Sequence, residues 1–111
     1  MSTPRIESRI RTNTPEFQEN ATAMRSAVDE LRRHLEKARA GGGEAATARH
    51  TERGKLTARD RVDGLLDPGT AFLELSSLAA HGMYEGDAPG ASMVTGVGTI
   101  HGRPALVVAN D

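Results

Sequence analysis

From Phe17 onward, apolar residues return in a strict four-three rhythm: Phe17, Ala21, Met24, Val28, Leu31, Leu35 and Ala38. With about 3.6 residues per helical turn, this rhythm lays all seven on one stripe. Thr14-Pro15-Glu16 supplies the start. Thr accepts from an orphan backbone N–H, Pro has its φ preset, and Glu suits the positive end of the helix dipole. Gly41-Gly42-Gly43 supplies the stop. The pattern predicts a helix over Pro15–Ala40, with the pairs Glu30/His34 and Arg32/Glu36 four apart on its outer faces. The stripe either lies on the chain's own domain or needs a partner. Docking onto missing or partner sequence is favoured, because no later segment offers an equally long apolar face.

The remaining elements are shorter. The Ala-rich stretch from Glu44 to Arg53 predicts a second helix. Thr57 caps a third, with Val62, Leu65 and Leu66 on its apolar side and Asp67-Pro68-Gly69 as its end. Phe72-Leu73-Glu74-Leu75 reads as a short strand, and the Gly- and Pro-bearing stretch 79–92 as a loop. Met93–Ile100 alternates as a strand, with Val94, Val97 and Thr99 set against Met93, Thr95 and Gly98. His101-Gly102 is a two-residue hairpin signal, and Arg103–Ala109 returns as a strand. Its run Ala105-Leu106-Val107-Val108-Ala109 is apolar on both faces, which predicts burial in the middle of a sheet. A lone hairpin is marginal in water. The expectation is therefore the front end of a larger α/β domain; the alternative is a small α+β domain.

Composition narrows this picture. The 111 residues carry a net charge of -1, which excludes a strongly basic nucleic-acid binder and a strongly acidic solvating chain. Aromatic residues make up 3%, so the core rests on Leu, Val, Met and Ala, and marginal stability is expected. With no Cys, disulfides and thiolate metal sites are excluded. No apolar run reaches the roughly 18 residues that span a membrane. Residues 1–14 form a polar leader; Arg5, Arg9 and Arg11 give it some transit-peptide character, but Ile6 and Ile10 are its only large apolar residues after Met1.

Candidate chemistry is sparse. His34, His50, His81 and His101 are too widely spaced for a metal-ligand motif and read as surface or turn residues. Glu85 and Asp87 lie in a Gly/Pro loop, where two acids are usually solvated. Gly54-Lys55 is not a phosphate loop, because Arg49 replaces the leading Gly and Leu56 the Ser/Thr. Gly96-Val97-Gly98 sits inside a strand pattern and suggests close backbone approach or a bulge. The stretch Arg49–Arg61 is the better candidate: Arg49, Arg53, Lys55, Arg59 and Arg61 face only Glu52 and Asp60. Beside a helix start, Lys55 and Arg59 suit phosphate groups. The competing reading pairs Arg59 or Arg61 internally, with Asp63, Asp67 or a C-terminal carbonyl. No aromatic residue interleaves the cluster, which argues against nucleic acid.

The order of several motifs carries a resemblance. They are Gly54-Lys55-Leu56-Thr57-Ala58-Arg59-Asp60-Arg61-Val62, Leu65-Leu66-Asp67-Pro68-Gly69, Phe72-Leu73-Glu74, Pro89-Gly90, Thr95-Gly96-Val97-Gly98 and Leu106-Val107-Val108-Ala109-Asn110-Asp111. Together they make the chain similar to the N-terminal portion of the carboxyltransferase (β) subunits of biotin-dependent acyl-CoA carboxylases. Arg49-His50-Thr51-Glu52-Arg53, Ala79-Ala80-His81-Gly82-Met83-Tyr84, Val28-Asp29-Glu30-Leu31 and Gly41-Gly42-Gly43-Glu44 point to the methylcrotonoyl-CoA carboxylase branch. The resemblance runs from about Ile6 to Asp111.

The resemblance implies an α/β, crotonase-like domain of which this is the N-terminal part: a leader over 1–14, an N-terminal helix over 15–43, and the incomplete start of the carboxyltransferase domain over 44–111. It implies transfer of a carboxyl group from carboxybiotin to an acyl-CoA, with 3-methylcrotonoyl-CoA of leucine degradation as substrate; propionyl-CoA and geranyl-CoA enzymes share the mechanism. Biotin would ride on a partner α subunit, and the β subunits would form a homo-oligomer. The location would be the bacterial cytoplasm, or the mitochondrial matrix in a eukaryote. The family's glycine pairs that stabilise oxyanions lie beyond the strand ending at Asp111, so no residue here is assigned as catalytic and none as a metal ligand. Lys55 and Arg59 are the candidates for the CoA phosphates. A stand-alone helical interaction module built on the Phe17–Ala38 stripe is the alternative of a different class.

Overall fold

Thr14 starts the first helix as its sequence implies: its hydroxyl accepts from the Phe17 N–H at 3.2 Å and donates to the Arg11 carbonyl at 3.3 Å. The Gln18 side chain donates to the Thr12 carbonyl at 2.7 Å and ties the leader to the first turn. This is a computed structural model, which describes residues 2–83, 85 and 90–111. The elements are α1 (Pro15–Arg39), α2 (Glu44–Glu52), α3 (Ala58–Leu65), β1 (Leu73–Leu75), β2 (Met93–Ile100) and β3 (Arg103–Asn110). They fall into two compact units, Met1–Arg32 and Arg33–Asp111.

In the first unit, the apolar stripe of α1 is partly exposed: Met24 is 65% and Leu31 49% exposed, and Phe17, Ala21 and Val28 are half-buried. The helix ends one residue before the expected Ala40, and Gly41 adopts φ +61, the left-handed conformation that terminates helices.

The second unit is a three-stranded antiparallel sheet in the order β1-β2-β3, with α3 laid on one face. Ala58, Val62 and Leu66 meet Val94 and Val107 in a small core, flanked by Phe72, Ile100 and Ala109. Gly96 and Gly98 make this contact possible. A Cβ at Gly98 would overlap the Leu66 side chain, and one at Gly96 would overlap the Phe72 ring and come within 2.5 Å of the Leu73 carbonyl. The close approach expected at these glycines is therefore observed. The register places Val97 between Leu73 and Leu106, and Thr95 between Leu75 and Val108.

One expectation fails here. Strand parity separates Val94 from Val97: Val94 is 1% exposed, while Val97 faces the other side with Met93 and Thr95. Among the described residues β3 is paired on one side and buried on one face, which fits the expected front end of a larger α/β domain. Val107 packs on α3, but Leu106 is 68% and Val108 56% exposed. No element among the described residues covers that second face, which also presents Leu73, Leu75, Met93 and Val97. The described residues of the 79–92 stretch hold no strand; they form turns, with Glu85 in 3₁₀ conformation. Asp87 and Pro89 lie outside the described residues, and Glu85 is exposed.

The Asp67-Pro68-Gly69 stop has a second task. The Asp67 N–H donates to the Thr99 carbonyl at 2.8 Å, and its carboxylate accepts from the Gly102 N–H at 2.8 Å and the His101 N–H at 2.7 Å. Those two backbone bonds hold the Asp67 carboxyl below its ordinary range, Gly102 contributing most. The gripped turn has φ +49 at His101 and +73 at Gly102, the pair of left-handed residues that a two-residue type I′ hairpin requires.

Candidate functional site

The segment joining α2 to α3 is shaped by its own backbone. Gly54 adopts φ +73, and its N–H donates to the Thr51 carbonyl at 2.9 Å. The Lys55 N–H reaches the His50 carbonyl at 3.4 Å. The His50 ring closes the loop: Nε2 lies 2.9 Å from the Leu56 carbonyl, so Nε2 carries the proton and donates. Thr57 then caps α3, accepting from the Asp60 N–H at 3.1 Å and donating to the Asp60 carboxylate at 2.7 Å. The N–H groups of Ala58 and Arg59, in the first turn of α3, have no partner among the described residues.

This loop presents Lys55. A groove of about 430 Å³ is lined by His50, Gly54, Lys55, Leu56 and Arg61. A second groove of about 290 Å³ shares His50, Leu56 and Arg61 and runs on to Asn110 and Asp111. Lys55 and Arg61 thus stand on one surface with the α3 start. That arrangement offers positive charge and backbone donors, the equipment for a phosphate group.

Arg59 does something else. Its Nη1 and Nη2 donate to Oε2 and Oε1 of Glu74, each at 2.9 Å. The side chains are 24% and 14% exposed, so the fork-to-fork pair is largely shielded and joins α3 to β1. The Arg59 hydrogen bond, then the Arg59 charge, holds the Glu74 carboxyl below its ordinary range. The Glu74 hydrogen bond raises the Arg59 guanidinium in turn. The Arg59 Nε is buried with no partner among the described residues. Internal pairing of Arg59 is therefore right in kind, but the partner is Glu74, not Asp63 or Asp67.

Of the two cations singled out in the sequence, Lys55 lines the groove and Arg59 is committed to the fold. Glu74 and His50 were missed as organisers. An acid alternating with Leu73 and Leu75 in a short strand was a signal that Glu74 needed a partner. The His50 ring bond spans the loop and has no spacing signature. His34 and His81, far apart in sequence, meet edge-to-face with ring centroids 4.3 Å apart. Among the described residues no group of three or more His, Asp or Glu could hold a metal ion. Among the described glycines, Gly96 and Gly98 pack against Phe72 and Leu66 in the central strand, and Gly41 terminates α1.

Residues 49–111 match the family model of the carboxyl transferase domain. The chain is 50% identical over 99 residues to the mitochondrial methylcrotonoyl-CoA carboxylase beta chain of Arabidopsis thaliana, covering 89% of this chain and 17% of that protein. It is 53% identical over 91 residues to the biotin-dependent 3-methylcrotonyl-coenzyme A carboxylase beta1 subunit of Mycobacterium tuberculosis, covering 82% and 17%. Among solved structures, the beta subunit of P. aeruginosa geranyl-CoA carboxylase superposes with TM-score 0.77 at 37% identity, covering 96% of this chain and 20% of that one. The transcarboxylase 12S subunit, solved as a hexamer, gives 0.68 at 35%, covering 76% and 17%. The chain thus spans about 17% of the length of these curated relatives.

Proposed function

The chain belongs to the carboxyl transferase domain family, and from that premise we propose that it works as part of a carboxyltransferase β subunit of a biotin-dependent acyl-CoA carboxylase. Its α/β arrangement is that of the crotonase-like carboxyltransferases. The observation that carries the proposal is the family match over 49–111 together with 50% identity to a methylcrotonoyl-CoA carboxylase beta chain. The acyl substrate proposed is 3-methylcrotonoyl-CoA. Geranyl-CoA is the second reading, favoured by the solved structure with TM-score 0.77.

Biotin, carried on a partner α subunit, would supply the carboxyl group. Among the described residues no cradle for its ureido oxygen or for a thioester enolate is assigned; Gly96 and Gly98 pack against Phe72 and Leu66 inside the sheet. No transfer step is therefore assigned to this chain. Its share is positioning: Lys55, with Arg61 beside it, is proposed to hold phosphates of the acyl-CoA at the groove. Arg59 serves that site indirectly, by fixing α3 and its capped start against β1. A homo-oligomer of β subunits is proposed, in line with the hexamer of the 12S subunit. The proposed location is the bacterial cytoplasm or the mitochondrial matrix, in line with one relative named as mitochondrial and another from a bacterium. No described helix is long and apolar enough to cross a membrane.

A chimera tests the proposal. Residues 49–111 replace the matched segment of the M. tuberculosis beta1 subunit, and carboxyl transfer is measured with its α subunit. Retained transfer to 3-methylcrotonoyl-CoA is expected. A chimera that folds and assembles but transfers no carboxyl group would overturn it.

A further inference from the structure

His50 has two ring nitrogens, and the fold uses only one of them. Nε2 donates to the Leu56 carbonyl at 2.9 Å and so closes the loop that presents Lys55. A carbonyl oxygen only accepts, so this bond fixes the tautomer and leaves Nδ1 as the bare, basic nitrogen. Nδ1 has no partner among the described residues. The residue is exposed and lines both grooves, with Lys55 and Arg61 in the larger and with Arg61 in the smaller. An imidazole gains or loses its second proton near neutral pH. Protonation at Nδ1 leaves the Nε2 bond to Leu56 in place. It therefore adds a charge and a donor to the groove without reshaping the loop.

The charges around the ring indicate what fills the groove. Lys55 comes from the loop and Arg61 from α3, while Asp111, after β3, lies in the smaller groove. Arg49, Glu52 and Arg53 are its charged neighbours along the chain. The larger groove thus has two cations and no acid among its lining residues. A second proton on His50 adds like charge there unless an anion enters with it. A phosphate reverses that balance: it stabilises the third positive charge, and by linkage that charge stabilises the phosphate. A rival occupant is an acidic segment from the remainder of a longer subunit, since the chain spans 17% of its curated relatives. Leu56 is the one aliphatic side chain lining the larger groove, so a covering segment gains little apolar burial there. We propose that His50 is a proton-dependent third cation of this groove, and that a phosphate of acyl-CoA held by Lys55 and Arg61 draws a second proton onto Nδ1. This rests on the reading of the groove as a site for acyl-CoA phosphates.

The test follows the ring protons of the four histidines by NMR in the full chain, from about pH 5.5 to 8.5, with and without saturating coenzyme A. Coenzyme A carries a phosphate monoester that itself changes charge at about pH 6, so the reading is taken at the ring rather than from affinity. The His50 midpoint should move up by at least about 0.5 pH unit, equivalent to about threefold tighter binding by the protonated form. The midpoints of His34, His81 and His101 should stay put. His50→Gln keeps an N–H for the Leu56 carbonyl but cannot gain charge. In the chimera with the M. tuberculosis beta1 subunit, it should raise KM for 3-methylcrotonoyl-CoA about twofold more at about pH 6 than at about pH 8, with no such gap in kcat. Amide shifts on Gly54–Arg61 with a fixed His50 midpoint would overturn this inference and leave the groove reading standing. Amide shifts that avoid the loop would overturn both. Equal movement of all the histidines, or a KM indifferent to His50→Gln at every pH, would also overturn it; the second is the result a covering segment produces.

Discussion

Replacing Arg59 with Met keeps the apolar stem and deletes the fork that holds Glu74. The Glu74 side chain is only 14% exposed, so its carboxylate would lose two 2.9 Å charge-assisted bonds with little water to replace them. Breaking a fully buried pair costs about 3–5 kcal/mol, and an exposed pair is worth about 0–1 kcal/mol. The observed exposure lies between these cases, so Arg59→Met should cost about 2 kcal/mol. Glu74→Gln keeps one acceptor and removes the charge, and should cost about 1 kcal/mol. The two share one interaction, so the double variant should cost about 2 kcal/mol rather than the sum. Urea unfolding followed by far-UV circular dichroism reads all three.

The pH dependence has a definite sign. Glu74 titrates lower in the folded chain than when unfolded. The stabilisation is therefore complete above the ordinary carboxylate range, about pH 4–5, and drains as pH falls through the folded value. Glu74→Gln should remove that part of the acid loss. The raised Arg59 value adds nothing at working pH, because the guanidinium is charged in both states. A cost below about 0.5 kcal/mol for Arg59→Met, or an additive double variant, would refute the pairing as an organiser of the fold.

Gly98→Ala and Gly96→Ala should each destabilise the chain by about 1–3 kcal/mol in urea unfolding, through overpacking. Gly96→Ala should be the worse, because it meets the Leu73 backbone as well as the Phe72 ring. Gly64→Ala, in α3 with nothing within 4 Å, should instead stabilise by about 0.5–1 kcal/mol, and a loss there would contradict its placement. Asp67→Asn should raise amide exchange at His101 and Gly102, since the carboxylate that accepts both N–H groups is lost, while leaving the α3 amides protected.

Local signals proved readable. The Thr14 and Thr57 caps, the Gly41 stop and the His101-Gly102 turn depend on residues adjacent in sequence, and each forms as its chemistry dictates. What could not be read was pairing across the chain. Glu74 finds Arg59, and Asp67 finds the hairpin turn, only once α3 lies on the sheet. The burial of β3 shows the same limit. Five apolar residues in a row report that both faces can be buried, not that both are, and the described residues supply one covering layer. The basic cluster divided for a geometric reason. On α3 the side chain of Arg59 turns toward β1, while that of Arg61 turns toward the loop that carries Lys55. A charge count along the sequence cannot make that separation.

Lys55 and its loop are the surface proposed to meet acyl-CoA. The most direct measurement is a nitrogen-15 NMR titration of the chain with coenzyme A, in wild type and Lys55→Ala. The prediction is a footprint concentrated on Gly54–Arg61, with affinity at least about fivefold weaker in Lys55→Ala and little changed in a Lys37→Ala control. Shifts that avoid this loop, or equal affinity in wild type and Lys55→Ala, would contradict it.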